Sequence, residues 1–407
     1  MTTCRFCGSA IDLTLVDLGQ QPPSNSYLKT ADAPEKFFPL RAIVCDDCHL
    51  VQLADDVPAD EIFTADYAYY SSFSASWVAH AKTYADTMTA RFGLDGSNKV
   101  VEIASNDGYL LQHFVAAGTS VLGVDPAAGC AEAAQAKGVA TEVAFFNADT
   151  AKRLRTEGHG ADLMAANNVL AHVPDIRSFV EGFAILLNDD GVMTVEFPHL
   201  LNLLNLVQFD TIYHEHYSYL SLLAVERIFG ECGLRVFDVE ELGTHGGSLR
   251  VFACKADTGR HVECPGLAAM RTKEHAAGLD TRAAYEGFDA KCQAVRSGLL
   301  SFLEDAKADG KTVVAYGAAA KGNTFLNYAE VDTDLIGFVC DGNPAKQNCF
   351  LPGSRIPILS PDHIESAQPD YVLILPWNLR TEIADQLKTI RAWGGQFVVA
   401  VPEIEVW

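Results

Sequence analysis

Positive charge is what this chain has least of: 30 lysines and arginines stand against 53 aspartates and glutamates in 407 residues, a net charge of −23. A duplex-binding surface needs cations to displace condensed counterions, so this balance argues against a nucleic-acid polymer as partner. A small anionic substrate stays open, because it needs only a local basic pocket. Long apolar runs are missing too. No uninterrupted stretch approaches the roughly 20 residues that span a bilayer, and no membrane association is expected. The start, MTTCRFCGSA, lacks a charged segment followed by an apolar core, so it does not read as a secretory leader and a cytoplasmic protein is expected. A strict G-x-G-x-x-G is also absent, which counts against a dinucleotide site.

What is present is core material and cysteine. Apolar residues make up 49% of the chain and charged residues 20%, a globular composition, and the length exceeds what one hydrophobic core supports. In a reducing compartment the 11 cysteines are thiols or metal ligands. Cys4 and Cys7 form one C-x-x-C and Cys45 and Cys48 a second, the spacing of two zinc knuckles. Four thiolates fill a tetrahedral sphere, so the expected zinc site is closed and structural. His49 follows Cys48 directly and reads as a neighbour. Short strand-like pieces around Pro22, Pro23 and Pro34 complete a small β-rich module.

From residue 97 strands and helices alternate. KVVEIA (99–104), VLGVDP (121–126), DLMAANNVLAHV (162–173) and VMTVEF (192–197) read as buried parallel strands, and LRVFDVEEL (234–242) with SLRVFACK (248–255) as a terminal antiparallel pair. Such a doubly wound sheet binds its ligand at the carboxyl ends of its strands. The loop EIASNDG (102–108) stands at the nucleotide-binding turn, where Ala104 and Gly108 admit a close backbone approach. Asp125, ending the second strand, is placed to hold ribose hydroxyls. S-adenosylmethionine suits this pattern at least as well as NAD, since a sulfonium ligand needs no pyrophosphate cradle.

Residues 267–310 read as a helical connector. A second α/β unit starts at 311, with LIGFVCD (335–341), DYVLILPW (370–377) and GGQFVVAVP (394–402) as later strands. Its turn at 317–323 offers backbone N–H groups and Lys321 to a phosphate, and Lys346 and Arg355 add charge nearby. His245, in the loop THGGS, stands at the expected ligand edge. The densest chemistry lies at 209–221, FDTIYHEHYSYLS. There His214, Glu215 and His216 are either metal ligands or the source of a base.

Both knuckles, the tyrosine segment DYAYYSS (66–72), the EIASNDG loop, the YHEHYSYLS stretch and the GAAAKGN turn together resemble the zinc-containing, S-adenosylmethionine-dependent sugar C-methyltransferases, over essentially the whole chain. The resemblance implies a zinc module (1–66), a class I Rossmann-like methyltransferase domain (67–266), the connector, and a C-terminal Rossmann-like domain (311–407) that helps hold a nucleotide-linked sugar. It implies C-methylation of a nucleotide-diphosphate keto-deoxysugar, commonly dTDP-linked, by a monomer or weak oligomer. By matched position His216 is the base, Glu215 lies beside it, and Tyr213, Tyr67 and His172 complete the catalytic set. Cofactor is expected at Glu102, Ala104, Asn106, Gly108, Asp125, Pro126 and Asn167. Substrate contacts are expected from His245, Gly317, Lys321, Asn323 and Lys346, besides Tyr67, His172 and Tyr213. Competing readings are a nicotinamide-dependent nucleotide-sugar dehydrogenase or epimerase, and a zinc-bearing protein without catalysis.

Overall fold

The computed structural model describes residues 2–55, 57, 70–257 and 260–407; Tyr67 lies outside them. Strands β1 (Thr2–Thr3) and β2 (Ala10–Ile11) pair antiparallel around the first knuckle. β3 (Leu13–Gln21), β4 (Phe38–Val44) and β5 (Val51–Leu53) form an antiparallel sheet, and the β4–β5 turn carries Cys45 and Cys48.

A helix, Ala75–Phe92, opens the central unit. Ser74 caps it through the Trp77 N–H, and Gly93 ends it in the left-handed conformation. Then come β6 (Lys99–Ile103), β7 (Ser120–Asp125), β8 (Thr141–Val143), β9 (Ala161–Asn167) and β10 (Leu187–Pro198). The expected third strand stops at Asn167, and His172 sits on a short 3-10 turn beyond it. After β11 (Ser218–Tyr219), β12 (Leu234–Leu242) and β13 (Ser248–Lys255) close a seven-stranded sheet in the order β12-β13-β10-β9-β6-β7-β8. β13 is antiparallel to both neighbours. Residues 192–197 of β10 are buried without interruption, as a strand covered on both faces must be. Strand order reverses between β6 and β9, and the crevice of a doubly wound sheet opens at such a point.

β11 belongs elsewhere. Ser218 and Tyr219 pair with Gln52 and Val51, so the chain leaves the central sheet to add an edge strand to the N-terminal one. Helices Pro265–Ala276 and Phe288–Ala308 lead to β14 (Val313–Tyr316), β15 (Val339–Cys340), β16 (Ile358–Leu359), β17 (Tyr371–Ile374), β18 (Gln396–Val399) and β19 (Glu405–Val406). Their order is β16-β15-β14-β17-β18-β19, parallel except for β19. One hydrophobic core joins Leu15 and Leu40 of the N-terminal sheet, Phe209 and Ile212, and Val313 and Leu373 of the C-terminal sheet. Among the described residues no helix is long and apolar enough to cross a membrane.

Candidate active site

The turn after β6 is shaped by left-handed residues: Ala104 (φ 56°), Asn106 (φ 48°) and Gly108 (φ 76°). A Cβ on Gly108 would stand 3.1 Å from Val139 Cγ2, so glycine meets a steric need as well as a conformational one. Asp125 ties this turn to the next, accepting from Asn106 N (2.8 Å) and Ala127 N (2.9 Å), with Pro126 between. Glu102 is fully buried, and neither carboxylate oxygen has a well-formed hydrogen bond among the described residues. Burial pushes its carboxyl well above the usual range, against the nearby Tyr109 hydroxyl. The side-chain oxygens of Asn167 and Asn168 also have no partner among the described residues. Buried acceptors of this kind are costly unless donors reach them. The hydroxyls and ammonium of S-adenosylmethionine are such donors, and these residues fit it.

Composition gave no sign of a second cluster beside that edge. Glu196, near the end of β10, accepts from His80 (3.1 Å), Arg250 (2.9 Å) and Thr244 (2.9 Å). Burial works against its charge, yet the bonds from these groups hold its carboxyl below the usual range. Trp77 stacks on His80 at 4.9 Å and meets His245 edge-on at 5.2 Å. His245 itself is left-handed, at φ 55°. The opening helix and the 244–247 loop are thereby tied together at the ligand edge.

The stretch 209–221 begins as a 3-10 turn, Phe209–Thr211. Its Thr211 carbonyl lies 2.9 Å from His216 Nδ1. A carbonyl only accepts, so the proton is on Nδ1 and the Nε2 lone pair is left available. The ring sits 4.0 Å from that of Tyr213 and 4.6 Å from that of His172. Burial, then the neighbouring His172, holds the His216 imidazole well below its ordinary pKa. Burial takes His172 down to about 4, against a hydrogen bond to the Glu215 backbone. Glu215 is 5% exposed, and its Oε1 accepts from Asn25 Nδ2 at 2.5 Å. His214 turns away: it lies 3.3 Å from the Pro39 carbonyl and packs edge-on against Phe38.

The C-terminal turn meets this stretch from the other side. A Cβ on Gly317 (φ 92°) would strike Pro376 Cδ at 2.4 Å. Lys321 Nζ donates to Asn378 Oδ1 (2.8 Å) and lies 4.5 Å over the Trp377 ring. Trp377 Nε1 in turn donates to Asp210 Oδ2 at 2.7 Å. Lys346 Nζ donates to the Ala318 carbonyl at 2.8 Å, 3.7 Å from Asp341. Asn323 is fully buried, and among the described residues neither of its side-chain polar atoms has a partner. Arg355 is engaged elsewhere, paired with Glu35 (3.0 Å) and the carbonyls of Ala31 and Ala33. The expected residues therefore fall into two groups, one at the ends of β6, β7 and β9, the other around His216 and the C-terminal turn.

The sulfurs of Cys4, Cys7, Cys45 and Cys48 all lie within 4.8 Å of one another, with the Cys4–Cys48 and Cys7–Cys45 pairs at 3.5 Å. Zn–S bonds of about 2.3 Å in a tetrahedron put sulfurs about 3.8 Å apart, so the four fit a closed structural zinc site without His49.

Comparison with known proteins agrees with this architecture. Residues 4–63 match the family "Putative zinc binding domain", 77–239 "Methyltransferase domain", and 243–402 "C-methyltransferase C-terminal domain". A ubiquinone biosynthesis O-methyltransferase of a Chelativorans species is 30% identical over 118 residues, 27% of this chain and 47% of that one. Among solved structures, the PH0226 protein of Pyrococcus horikoshii aligns with 48% of this chain and 98% of its own, at 14% identity and a TM-score of 0.38. The C-methyltransferase NovU of Streptomyces niveus is 38% identical over 405 residues, covering 99% of this chain and 96% of that one. On this end-to-end likeness, the chain belongs to the zinc-containing, S-adenosylmethionine-dependent C-methyltransferases.

Proposed function

We propose that the enzyme methylates a carbon adjacent to the ketone of a nucleotide-diphosphate keto-deoxysugar, dTDP-linked, with His216 as the base. The observation that carries this reading is the Thr211 carbonyl on His216 Nδ1, which leaves Nε2 as the proton acceptor. A carbon becomes nucleophilic only when a proton leaves, and a ketone lowers that cost by spreading the charge into an enolate. His216 takes the proton; Tyr213, beside it, donates to the enolate oxygen as charge develops there. S-adenosylmethionine, held by Glu102, Asp125 and the 104–108 turn, supplies an electrophilic methyl. Glu215, His172 and His245 orient the sugar. The turn at Gly317, with Lys321, Asn323 and Lys346, supplies donors and charge for the diphosphate. Tyr67 is assigned to the sugar site on resemblance alone.

Labelled S-adenosylmethionine and a panel of nucleotide keto-sugars test the substrate class. His216→Ala should fold, bind S-adenosylhomocysteine and lose about 10²–10⁴-fold in methyl transfer. It should also lose cofactor-independent exchange of the substrate proton with solvent deuterium. Near-normal methylation by that variant would remove His216 as the base.

A further inference from the structure

The zinc module reaches into the active site. Between β3 and β4 the chain runs through QPPSNSYL (21–28) and is fastened to the C-terminal unit. Ser24 Oγ lies 3.1 Å from Thr324 Oγ1, Gln21 Nε2 is 3.4 Å from the Thr324 carbonyl, and Leu28 bridges to Phe350. At its middle, Asn25 donates through Nδ2 to Glu215 Oε1 at 2.5 Å. The other end of the same amide faces Tyr27, whose one hydroxyl proton is shared between the Ala318 carbonyl (2.6 Å) and Asn25 Oδ1 (3.2 Å). Lys346 lies 5.3 Å over the Tyr27 ring and donates to that same carbonyl. Asn25 is itself exposed, so a solvent-facing amide from one module meets a buried carboxylate from another.

We propose that Asn25 is a positioning residue, by which the zinc module holds the Glu215 carboxylate ionised and aimed at the substrate. Burial raises the Glu215 carboxyl above its usual range, and the Asn25 hydrogen bond to the charged form, followed by the Lys346 charge, limits that rise. Among the described residues the groups facing Glu215 are the Asn25 amide, the Lys346 charge, the Tyr27 hydroxyl beyond Asn25, and the His172 ring on its backbone. Of these, only Asn25 has a described hydrogen bond to the carboxylate. An ionised carboxylate only accepts, so it draws Nδ2 of the amide to Glu215 and leaves Oδ1 facing the Tyr27 hydroxyl, 3.2 Å away. The inference rests on Glu215 belonging to the active site, as proposed above.

Asn25→Asp tests it. Two carboxyls at this separation share one proton, as paired carboxylates do. At mildly acidic pH the shared proton reproduces the donor that the amide supplied, and kcat/KM for the dTDP-linked keto-deoxysugar that the panel identifies should stay near wild type. As pH rises and that proton leaves, the pair repels and activity should fall about 10-fold or more. Asn25→Ala should lose activity by a similar factor at every pH, with binding of S-adenosylhomocysteine and zinc content unchanged. Made on Glu215→Gln, which has no second carboxyl to repel it, Asn25→Asp should add no alkaline loss to the activity that Glu215→Gln alone retains. If the loss persists in the double variant, or Asn25→Asp and Asn25→Ala share one pH profile, Asn25 does not act through Glu215.

A measurement without substrate keeps the test independent of the chosen sugar. Infrared difference titration against Glu215→Gln follows the Glu215 proton directly. Asn25→Ala should move its midpoint upward by about one pH unit, and an unmoved midpoint overturns the proposal. The base reading fails separately, if His216→Ala still methylates while the Asn25 signatures stand.

Discussion

An imidazole kept neutral by its surroundings is ready to take a proton throughout the neutral range, and this is the condition of His216. Burial, the neighbouring His172, and the more distant His245 and Lys321 all disfavour its cation. The acid limb of kcat/KM is therefore expected below the ordinary imidazole value of about 6.5, with a flat profile through neutrality; a pH-rate profile checks this. A limb above 6.5 would mean that some other group is titrating. Stability carries the same sign. The unfolded chain takes up protons on these imidazoles near 6.5, whereas folded His172 resists until about 4, so the unfolded state binds more protons in that window. Stability is then complete above the unfolded value and lost as pH falls toward the folded one. Denaturant melts at pH 7 and pH 5 should show the acid sample weaker, and His172→Gln should narrow the gap. At this scale the sequence spoke where chemistry-bearing residues are neighbours in the chain: four cysteines in two pairs, and HEH beside tyrosines. It was silent where partners lie far apart, as Asn25 is from Glu215, or His80 from Glu196. An isolated asparagine in a proline-punctuated loop carries no local pattern that announces its partner.

The elements of the central sheet were legible because inner strands covered on both faces are apolar almost throughout, and an edge strand such as β12 alternates apolar with polar residues over part of its length. LRVFDVEEL and SLRVFACK became β12 and β13 with the boundaries the pattern implied. β11 was not legible. Two residues have no periodicity, and their partner, β5, lies in another sheet. The loop between β12 and β13 shows what an element boundary can carry. Gly246 (φ 88°) lies so close to Trp377 that a Cβ would stand 2.4 Å from its Cη2 and 3.0 Å from Gln208 Nε2. Its carbonyl accepts from that same Gln208 amide at 2.8 Å, one residue before the turn that holds His216. Gly246→Ala therefore meets a backbone conformation that alanine adopts at a cost and an indole that cannot yield without disturbing its bond to Asp210. The expected result is a destabilisation of about 1–3 kcal/mol, read as a lowered Tm, with methyl transfer falling by more than unfolding explains. Gly230→Ala, where a Cβ meets nothing within 4 Å, should do neither and serves as the control.

At the scale of the whole molecule, zinc stands far from the chemistry in role but not in consequence. Cys4, Cys45 and Cys48 belong to the same hydrophobic cluster as Val101, Leu220 and Leu222, so the knuckles pack against the central sheet. The turn they clamp sets β4 against β5, and β5 is the partner of β11. β11 begins two residues after His216. Across the same module β3 leads into the loop that presents Asn25. Losing the metal releases several kcal/mol of folding free energy, since structural zinc sites bind with apparent energies of about 10 kcal/mol or more. The loss should fall first on this N-terminal sheet and on what it holds. The proposed cofactor turn is tied by hydrogen bonds from Asn106 and Ala127 to Asp125, all residues of the central unit rather than of the module. Cys45→Ser, or exhaustive chelation, is thus expected to remove the single zinc per chain, lower the Tm and abolish methyl transfer, while calorimetry still detects S-adenosylhomocysteine. Equal loss of cofactor binding would mean that the central sheet cannot stand without the knuckles. Full activity after proven removal of zinc would mean that the β5–β11 pairing holds His216 and Glu215 in place without it.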